Sequence, residues 1–303
     1  MKKMHIADWQ SIFDRSKKNQ YKILFKPFYS KERFVAELYK AQLGKDLNLK
    51  TPTSFTEKQN VLKLNKRAYK DYHKYVDKYL VRDYVANKIG KKYLVPEYFY
   101  TKKLKVSDFE KLPTGFVLKT TNGSGTNYIV EDKTKEDLEK IVWYMNWLSK
   151  LKYGYIWGEF FYNRITPGII AEKLLLDKNN NIPDDLKCYC FKDNLGRRRK
   201  VLYVERVIGD ERHRIMFDER WRPVDYGGGF EKLDIKIKRP KNYQEILKVI
   251  DRLSEDFSFV RVDLFLLGDK IYFGELTFIP TAGYMRLKDE KTNQLWGSWM
   301  GDY

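Results

Sequence analysis

Apolar residues recur at helical spacing through most of the first part of the chain, up to about residue 110. The spacing predicts a helix over 32–43, and Gly44 stands where that helix should end. A second helix is predicted over 75–89, with Gly90 at its end. We therefore expect this region to be mainly helical.

A helix start is predicted between these two segments. Ser54 or Thr53 has a hydroxyl that can accept a hydrogen bond from the first free backbone N–H groups, and Glu57 lies within reach of a capping box. Pro96 then marks the entry into an extended segment.

In the middle of the chain the pattern changes to short runs typical of strands. Residues 115–119 and 127–131 predict two strands joined by a glycine-rich loop, and together they form a hairpin. A helix is predicted over 134–148, with Thr134 as its cap.

The second half of the chain also contains short runs typical of strands, and a helix is predicted over 243–253. A turn at Gly268 and Asp269 joins the last two predicted strands into a hairpin. Helices mixed with antiparallel strands in this order indicate an α+β fold. The strands are predicted at 169–175, 186–191, 199–206, 213–218, 259–266 and 270–275.

Composition narrows the class of protein. Of 303 residues, 43% are hydrophobic and 16% aromatic, which is enough for packed cores. No apolar run approaches the roughly 20 residues of a membrane span, and the first residues lack the apolar stretch of a signal peptide. Cys188 and Cys190 alternate on one predicted strand, so we expect both to be buried on one face. The chain is expected to be cytoplasmic.

The formal net charge of +18 raises the question whether the protein binds an anionic partner or substrate. Such basicity attracts polyanions, but the lysines are spread through the chain, which favours solvated surfaces for most of them. No zinc-finger spacing and no RNA-recognition motif is present, so nucleic acid is an unlikely partner. An anionic glycan substrate, or peripheral association with an anionic membrane, fits the charge at least as well.

The glycine-rich loop of the central hairpin has the composition of a phosphate-binding loop. Lys119 ends an apolar run, and Gly123, Ser124 and Gly125 follow, where backbone N–H groups can surround an anion. The alternative is an ordinary lysine at a strand end. The Gly-Lys-Ser/Thr sequence of a P-loop is missing, so the hairpin suits a lid over phosphates instead.

Arg261, Asp263 and Glu275 have the chemistry of a magnesium–phosphate site. Asp263 and Glu275 lie on the two arms of the last predicted hairpin, and Arg261 shares a strand face with Asp263. Two surface carboxylates would be the ordinary interpretation. However, Glu275 lies in an otherwise apolar segment, where an unpaired carboxylate is costly, and this favours a metal site.

The roles of two further residues stay open. Arg206 can bind an anion or pair with Glu205 or Asp210. His213 lies between arginines and is expected to be structural rather than a general base. The chain shows no Ser-His-Asp or Cys-His set.

The order of these motifs resembles the ATP-grasp superfamily, and most closely its TupA-like branch, named after a teichuronopeptide-biosynthesis protein. The resemblance covers roughly residues 40 to 300 and rests on six stretches. They are 47–52, 53–58, 77–90, 116–125, 185–187 and 259–283.

The resemblance implies two α+β lobes that clamp ATP, preceded by a mainly helical region. It implies an N-terminal region 1–110 that contributes Lys78, a small lobe 111–178 with the glycine-rich lid, and a large lobe 179–303 with the metal site. Lys78 and Lys119 resemble the lysines that bind the nucleotide phosphates.

The resemblance also assigns the remaining ligands of ATP and magnesium. Glu172, Lys173 and Leu175 resemble the hinge that binds adenine and ribose. Asp185 and Lys187 lie at the start of a predicted strand and could contact ribose or phosphate, and Arg206, on its anion-binding interpretation alone, is a further candidate for binding the nucleotide. Arg261 resembles the arginine near the transferred phosphoryl group, and Lys119 a second catalytic residue. Asp263 and Glu275 resemble the metal ligands. Thr277 stands where the superfamily usually has asparagine, so either its hydroxyl or water would be the third ligand.

By this resemblance the chain is expected to be an ATP-dependent carboxylate–amine ligase that uses Mg²⁺. It would join an amino acid to a uronic acid or related sugar, free or lipid-linked, for a bacterial surface or capsular polysaccharide. It would work in the cytoplasm, at the inner face of the membrane. Three alternatives stay open: a kinase with the same nucleotide site, a glycosyltransferase of the same pathway, and a non-enzymatic protein that binds anionic polymers.

Overall fold

The computed structural model describes residues 6–67, 70–208, 211–227 and 237–302, with side chains for 9–67, 70–205, 214–227 and 237–302. The α-helices are α1 (Ile6–Phe25), α2 (Lys31–Leu43), α3 (Phe55–Leu62), α4 (Tyr72–Val76), α5 (Val81–Ile89), α6 (Leu138–Ser149), α7 (Gly154–Trp157), α8 (Tyr243–Ser254) and α9 (Glu290–Trp299). The strands are β1 (Glu97–Thr101), β2 (Phe116–Thr120), β3 (Asn127–Val130), β4 (Ile169–Lys173), β5 (Asp184–Lys192), β6 (Arg198–Ile208), β7 (Glu211–Phe217), β8 (Pro223–Val224), β9 (Phe259–Leu267) and β10 (Lys270–Thr277).

The chain forms two compact units, each assembled from several segments. Unit 1 consists of residues 1–38, 69–84 and 95–174, and unit 2 of residues 39–68, 85–94 and 175–303. Unit 1 contains a sheet with the strand order β1-β4-β2-β3, and unit 2 a sheet with the order β10-β9-β5-β6-β7-β8. All of these pairings are antiparallel.

The core of unit 1 lies between its sheet and two helices, α1 and α6. Phe13 of α1 stacks on Trp147 of α6 with ring centroids 4.4 Å apart. Leu118 of β2 and Met145 of α6 are fully buried in the same cluster. Because α6 presents apolar residues at helical spacing to the sheet, it holds β2 and the loop that follows it.

The core of unit 2 is built on the face of β5 and β9 that also carries Arg261 and Asp263. Phe55 of α3 and Trp296 of α9 pack there edge to face, with centroids 5.4 Å apart. A Cβ atom on Gly297 would come within 2.0 Å of the Thr53 carbonyl oxygen, so only glycine allows α9 to approach α3 this closely.

Most predicted elements are confirmed. The capping box is present, since Ser54 accepts from the Glu57 N–H and Glu57 accepts in return from the Ser54 N–H. Gly44 and Gly90 both have positive φ at the ends of α2 and α5. The cysteines are buried, with their Sγ atoms 3.6 Å apart. The predicted central and C-terminal hairpins correspond to β2–β3 and β9–β10.

The prediction of one helix over 75–89 is wrong. The structure has α4 and α5 instead, separated at Asp77, whose backbone is extended. The Asp77 carboxylate accepts from the N–H groups of Tyr79 and Leu80 at 2.8 and 3.1 Å, so it caps the second helix rather than continuing the first. Lys78 therefore lies in this break and not on a helix.

The predicted start of the helix over 134–148 is also wrong. Asp137 is the cap of α6, and its side chain accepts from the Lys140 N–H at 3.0 Å. Thr134 instead lies in a short 3₁₀ turn that begins after Asp132, which accepts from the Thr134 N–H. Asp132 thus caps the 3₁₀ turn and Asp137 caps α6, so the helix begins four residues later than predicted.

The helices α1, α7 and α9 and the short strand β8 were not predicted from the sequence. In the described ranges, with their gaps at 68–69, 209–210 and 228–236, no helix is long and apolar enough to cross a bilayer.

Candidate functional site

Asp263 and Glu275 lie directly opposite each other on β9 and β10. Phe273 pairs with Leu264, but after Gly274 the register shifts by one residue, so that Glu275 pairs with Asp263. The shift is a β-bulge at the glycine. It brings both carboxylates to neighbouring positions on adjacent strands.

Arg261 joins these carboxylates into one hydrogen-bonded group. Its Nε and Nη2 atoms donate to the two oxygens of Asp263, each at 2.7 Å, in the bidentate arrangement that guanidinium favours. Nη2 also donates to Glu275 Oε1 at 2.9 Å and to Thr277 Oγ1 at 3.0 Å. The Thr277 hydroxyl in turn donates to Glu275 Oε1 at 3.0 Å.

A second cation approaches from β5 on the other side of β9. Lys187 pairs with Asp263 in the β5–β9 register, and its Nζ donates to Asp263 Oδ2 at 2.9 Å. It also forms an ion pair with Asp185, two residues before it on the same face. Asp263 is thus buried between two cations, Arg261 on its own strand and Lys187 on the neighbouring strand β5.

These contacts set the charge states of the group. Burial raises the pKa of Asp263, but Arg261 and Lys187 outweigh it, so the pKa is lowered and the carboxylate stays charged. Burial alone would lower the pKa of Lys187, but Asp263 and Asp185 raise it overall. Burial raises the pKa of Asp185 to about 6. Its Oδ1 atom is buried and has no hydrogen-bond partner among the described residues.

The donor set of this group fits a magnesium ion. Asp263 and Glu275 supply carboxylate oxygens and Thr277 a hydroxyl, which are the hard ligands that Mg²⁺ prefers. No group of three or more His, Cys, Asp or Glu side chains that could hold a metal ion occurs in the described part of the chain. Mg²⁺ in proteins commonly keeps water and phosphate oxygens among its ligands.

Unit 1 holds a separate charged group around Glu172. Lys119 Nζ lies 2.6 Å from Glu172 Oε2, and Arg82 Nη1 lies 2.8 Å from Glu172 Oε1. Arg82 also pairs with Glu97 at 2.5 Å and donates to the Val95 carbonyl at 3.0 Å. The side chain of Glu172 is only 9% exposed, so two cations share one nearly buried carboxylate.

Arg82 was not predicted as a site residue. It lies on α5, whereas its partners lie on β1 and β4, so no local pattern connects them. The available signal was weak, since one arginine in a chain with 59 basic residues does not stand out.

The loop between β2 and β3 is anchored at its base and exposed at its tip. Thr120 and Thr126 face each other with hydroxyl oxygens 2.6 Å apart, and the Thr121 N–H donates to the Gly168 carbonyl at 2.9 Å. Ser124 and Gly125 are exposed, and Gly125 has a φ of 74°, which favours glycine. The tip of this loop, at Ser124 and Gly125, is therefore open to solvent.

Lys78 reaches the same loop from the break between α4 and α5. Its Nζ donates to the Thr120 carbonyl at 3.2 Å and to the Gly123 carbonyl. Its backbone N–H donates to the Thr121 carbonyl at 3.4 Å. Lys78 thus contacts the loop backbone directly, and its role toward phosphate stays a prediction.

The predicted adenine-binding segment begins at the end of β4. Glu172 and Lys173 are its last two residues, and the Lys173 N–H donates to the Pro96 carbonyl at 2.8 Å. Leu175 follows and is buried. The Lys173 N–H is therefore already used within the protein, and the role of this segment toward adenine stays a prediction.

Two predicted residues have side chains outside the described part of the chain. Arg206 and His213 pair through their backbones in β6 and β7. The predictions made for their side chains, as an anion-binding arginine and a structural histidine, lie outside the described residues.

Apart from Lys173, Leu175 and Arg206, the predicted site residues form two groups, one in each unit. Unit 2 brings together the metal candidates, Arg261, Asp185 and Lys187. Unit 1 brings Lys119 to Glu172 and Lys78 to the glycine-rich loop.

The family model described as TupA-like ATPgrasp matches residues 57–302. This match confirms the resemblance, and with the antiparallel sheets it confirms the predicted α+β ATP-grasp fold. No curated protein matches the chain significantly.

Several solved structures are similar in fold at low identity. The D-alanine–D-alanine ligase of Helicobacter pylori is 14% identical over 79% of this chain and 61% of that chain, with a TM-score of 0.37. The N5-carboxyaminoimidazole ribonucleotide synthetase of Thermus thermophilus is 11% identical over 69% and 46%, with a TM-score of 0.41. The D-alanine–D-alanine ligase of Bacillus anthracis is 16% identical over 81% and 65%, with a TM-score of 0.36. The chain thus spans 46% to 65% of the length of these proteins.

Proposed function

Because this chain belongs to the TupA-like ATP-grasp family, we propose that it is an ATP-dependent carboxylate–amine ligase. Its substrates would be an amino acid and a uronic acid or related sugar, free or lipid-linked. The product would be an amide in a bacterial surface or capsular polysaccharide. The fold itself is that of ATP-grasp enzymes, which are ATP-dependent ligases.

The observation that supports this proposal most is the Arg261 group. One guanidinium contacts Asp263, Glu275 and Thr277, and Lys187 holds Asp263 from the other side. A site for phosphoryl transfer needs such a set, because its work is positioning and charge neutralisation rather than covalent catalysis. Asp263, Glu275 and Thr277 would hold Mg²⁺, which supplies neutralisation of the phosphoryl oxygens when bound.

The proposed reaction has two steps. A carboxylate oxygen of the sugar forms a bond to the γ-phosphorus while the bond to the β-phosphate oxygen breaks, which releases ADP. The amine nitrogen then bonds to the acyl carbon, the acyl–phosphate bond breaks, and phosphate and a proton leave. Arg261 would balance the charge that develops in both steps, since its guanidinium is always protonated.

The residues of unit 1 suit binding of the nucleotide. Lys119 would move from Glu172 to the phosphates, and Lys78 would contribute a second positive charge. The backbone N–H groups of Gly123, Ser124 and Gly125 would close over the phosphates, as backbone nests do. Glu172, Lys173 and Leu175 would bind adenine and ribose.

The acceptor is proposed to be anionic because the chain carries a net charge of +18. Lysines attract acidic sugars and lipid-linked diphosphates, and this attraction raises the local substrate concentration near a basic surface. We place the reaction in the cytoplasm at the inner face of the membrane, where ATP and lipid-linked sugar precursors are both available.

Product mass tests the proposal directly. The enzyme is incubated with Mg-ATP, a panel of uronic acids and mixed amino acids, and with Glu275→Gln as the matched inactive control. We expect an adduct equal to the two reactants minus water, and ADP release that depends on the amine.

Other outcomes would identify the alternatives. A phosphorylated sugar that persists in the presence of amines would establish a kinase. Turnover of a nucleotide-sugar without ATP would establish a glycosyltransferase. Binding of anionic polymer with no turnover of either nucleotide would leave a non-enzymatic role.

A further inference from the structure

The end of α1 exposes a set of large apolar side chains, which we call the α1 apolar patch. Tyr21, Leu24, Phe25 and Phe28 have 60%, 53%, 69% and 95% of their surface exposed. Single exposed apolar residues are ordinary, but contiguous ones on a helix mark a surface that binds something.

The patch continues α1 beyond the part that packs on the protein. The first turns of α1 bury Trp9, Phe13, Ser16 and Asn19, and the last two donate to backbone carbonyls of Lys152 and Tyr155 at 2.8 and 2.9 Å. After Asn19 no further residue of α1 is buried. The packed stripe therefore ends just before the patch begins.

Three residues of the patch share one face of α1. Tyr21, Leu24 and Phe25 follow the i, i+3, i+4 pattern, so their side chains lie on the same side of the helix, and Phe28 follows in the turn just beyond its end. Tyr21 and Phe25 confirm this, since their ring centroids lie 5.5 Å apart. An apolar face of this kind normally packs on a core, whereas here it meets solvent.

Phe28 is held outward by its backbone. It follows α1 in a turn closed by the Tyr29 N–H, which donates to the Lys26 carbonyl at 3.3 Å. Its φ is 62°, in the left-handed region that non-glycine residues rarely adopt. Such strain persists where a neighbouring structure imposes it and is common at binding sites.

The surroundings of the patch are basic. No acidic residue occurs between residues 15 and 31 of the chain. Lys17 and Lys18 lie one turn before Tyr21 on the same side of the helix. The nearby Glu37 is neutralised locally, since its carboxylate accepts from Tyr29 Oη at 2.6 Å and from Arg33 Nε at 2.9 Å. The basic residues are Arg15, Lys17, Lys18, Lys22, Lys26 and Lys31.

We propose that the α1 apolar patch inserts into the surface of a membrane that contains anionic lipid. Aromatic and aliphatic side chains on one face, with lysines beside them, are the composition of helices that lie in a bilayer interface. The lysines would bind anionic headgroups while the patch enters the acyl boundary. A soluble polyanion would leave the apolar residues without a role, and protein interfaces are depleted in lysine.

The patch can be tested with vesicles and one labelled position. Phe28→Cys places a single reactive thiol in the patch, because the native Cys188 and Cys190 are buried. An environment-sensitive NBD group on that thiol should brighten and shift to the blue with vesicles that contain about one third phosphatidylserine. It should not respond to pure phosphatidylcholine, or to polygalacturonate as a soluble polyanion.

Binding variants separate the apolar from the basic contribution. In co-sedimentation with the same vesicles, the variant Leu24→Ser/Phe25→Ser/Phe28→Ser should partition at least tenfold less than the wild type, since about three apolar side chains are lost. Lys17→Glu/Lys18→Glu should lose the preference for anionic lipid. Leu195→Ser is the matched control, because Leu195 is 75% exposed on unit 2 and should bind as the wild type does.

Several results would overturn the proposal. An NBD signal that stays unchanged with anionic vesicles would do so, as would a triple variant that partitions like the wild type. A labelled protein that responds to polygalacturonate and not to vesicles would assign the patch to a polymer. The ligase proposal is independent, since ATP turnover without vesicles should be the same in the wild type, the triple variant and the Leu195 control.

Discussion

Glu275 lies opposite Asp263 only because the β9–β10 pairing shifts by one residue at Gly274. In a ladder without that shift, Asp263 would face Gly274 and Glu275 would face Val262. The two carboxylates would then lie on opposite faces of the sheet, since neighbouring strand residues alternate. The bulge therefore decides whether one cation can contact both.

The first prediction concerns Gly274. A Cβ atom there would lie 3.0 Å from the Asp263 carbonyl oxygen, so Gly274→Ala should push β10 away from β9. We expect turnover to fall by roughly tenfold to a hundredfold at low magnesium, because a small misplacement of ligands is costly in catalysis. A magnesium titration of ADP release measures the effect.

Thermal unfolding is the control for Gly274→Ala. The melting temperature should stay close to that of the wild type, because the contact is local. Unchanged magnesium dependence with a normal melting temperature would show that the bulge does not position the ligands.

The second prediction compares how much the free energy of unfolding falls when Asp263 or Glu275 loses its charge. Asp263 is buried and is the carboxylate that Arg261 and Lys187 share, so Asp263→Asn leaves Arg261 only Glu275 and Lys187 only Asp185, and it should cost about 3 kcal/mol of unfolding free energy. The side chain of Glu275 is 39% exposed, so Glu275→Gln should cost about 0–1 kcal/mol. Chemical denaturation of both variants measures the difference.

Both variants should nevertheless lose turnover by orders of magnitude if they bind magnesium. Near-normal ATP turnover by either variant at low magnesium would remove that residue from the metal site.

The third prediction concerns Arg82. Its bond to Glu172 balances that carboxylate, so in Arg82→Ala the full charge of Glu172 acts on Lys119. Lys119 should then bind phosphate less readily, and we expect the KM for ATP to rise by about tenfold with little change in kcat. Steady-state kinetics with ATP varied at saturating acceptor would resolve the two constants.

Glu97→Gln is the matched control for Arg82. It removes the other carboxylate partner of Arg82 and leaves the Glu172 contact in place. Its KM for ATP should be close to that of the wild type. Equal losses in both variants, with lowered melting temperatures, would mean that Arg82 only stabilises unit 1.

The fourth prediction concerns the tip of the glycine-rich loop. The Thr121 N–H is already bonded to Gly168, whereas Ser124 and Gly125 are exposed. Mg-ATP should therefore slow hydrogen exchange at 123–125 more than at Thr121, since phosphate binds the tip N–H groups. The exposed turn at Leu195 and Gly196 is the internal reference and should not change. Bound nucleotide with unaltered exchange at 123–125 would exclude the lid role.

The fifth prediction concerns Arg261. Arg261→Lys keeps the charge but loses the planar fork that contacts Asp263, Glu275 and Thr277 together. We expect kcat to fall much more than the KM for ATP rises, because the lost contacts act on the transferred group. A variant that changes both constants equally would place Arg261 in nucleotide binding instead.

Local patterns in the sequence were enough to predict most elements of this fold. The capping box at Ser54, the glycine ends of α2 and α5, and the β2–β3 hairpin all depend on neighbours close in sequence. The family resemblance, too, could be recognised from the order of motifs around Lys119 and Asp263. Short-range hydrogen bonding and side-chain periodicity are readable without a structure because they involve few residues.

Contacts between distant segments were decided by the tertiary structure alone. The bulge at Gly274 depends on how β10 packs beside Asp263, and a regular hairpin with the same turn would have misplaced Glu275. Arg82 meets Glu172 across 90 residues of sequence, and Lys187 meets Asp263 across 76. Such pairs are selected by burial, because a charge removed from water must find its partner wherever the fold places it.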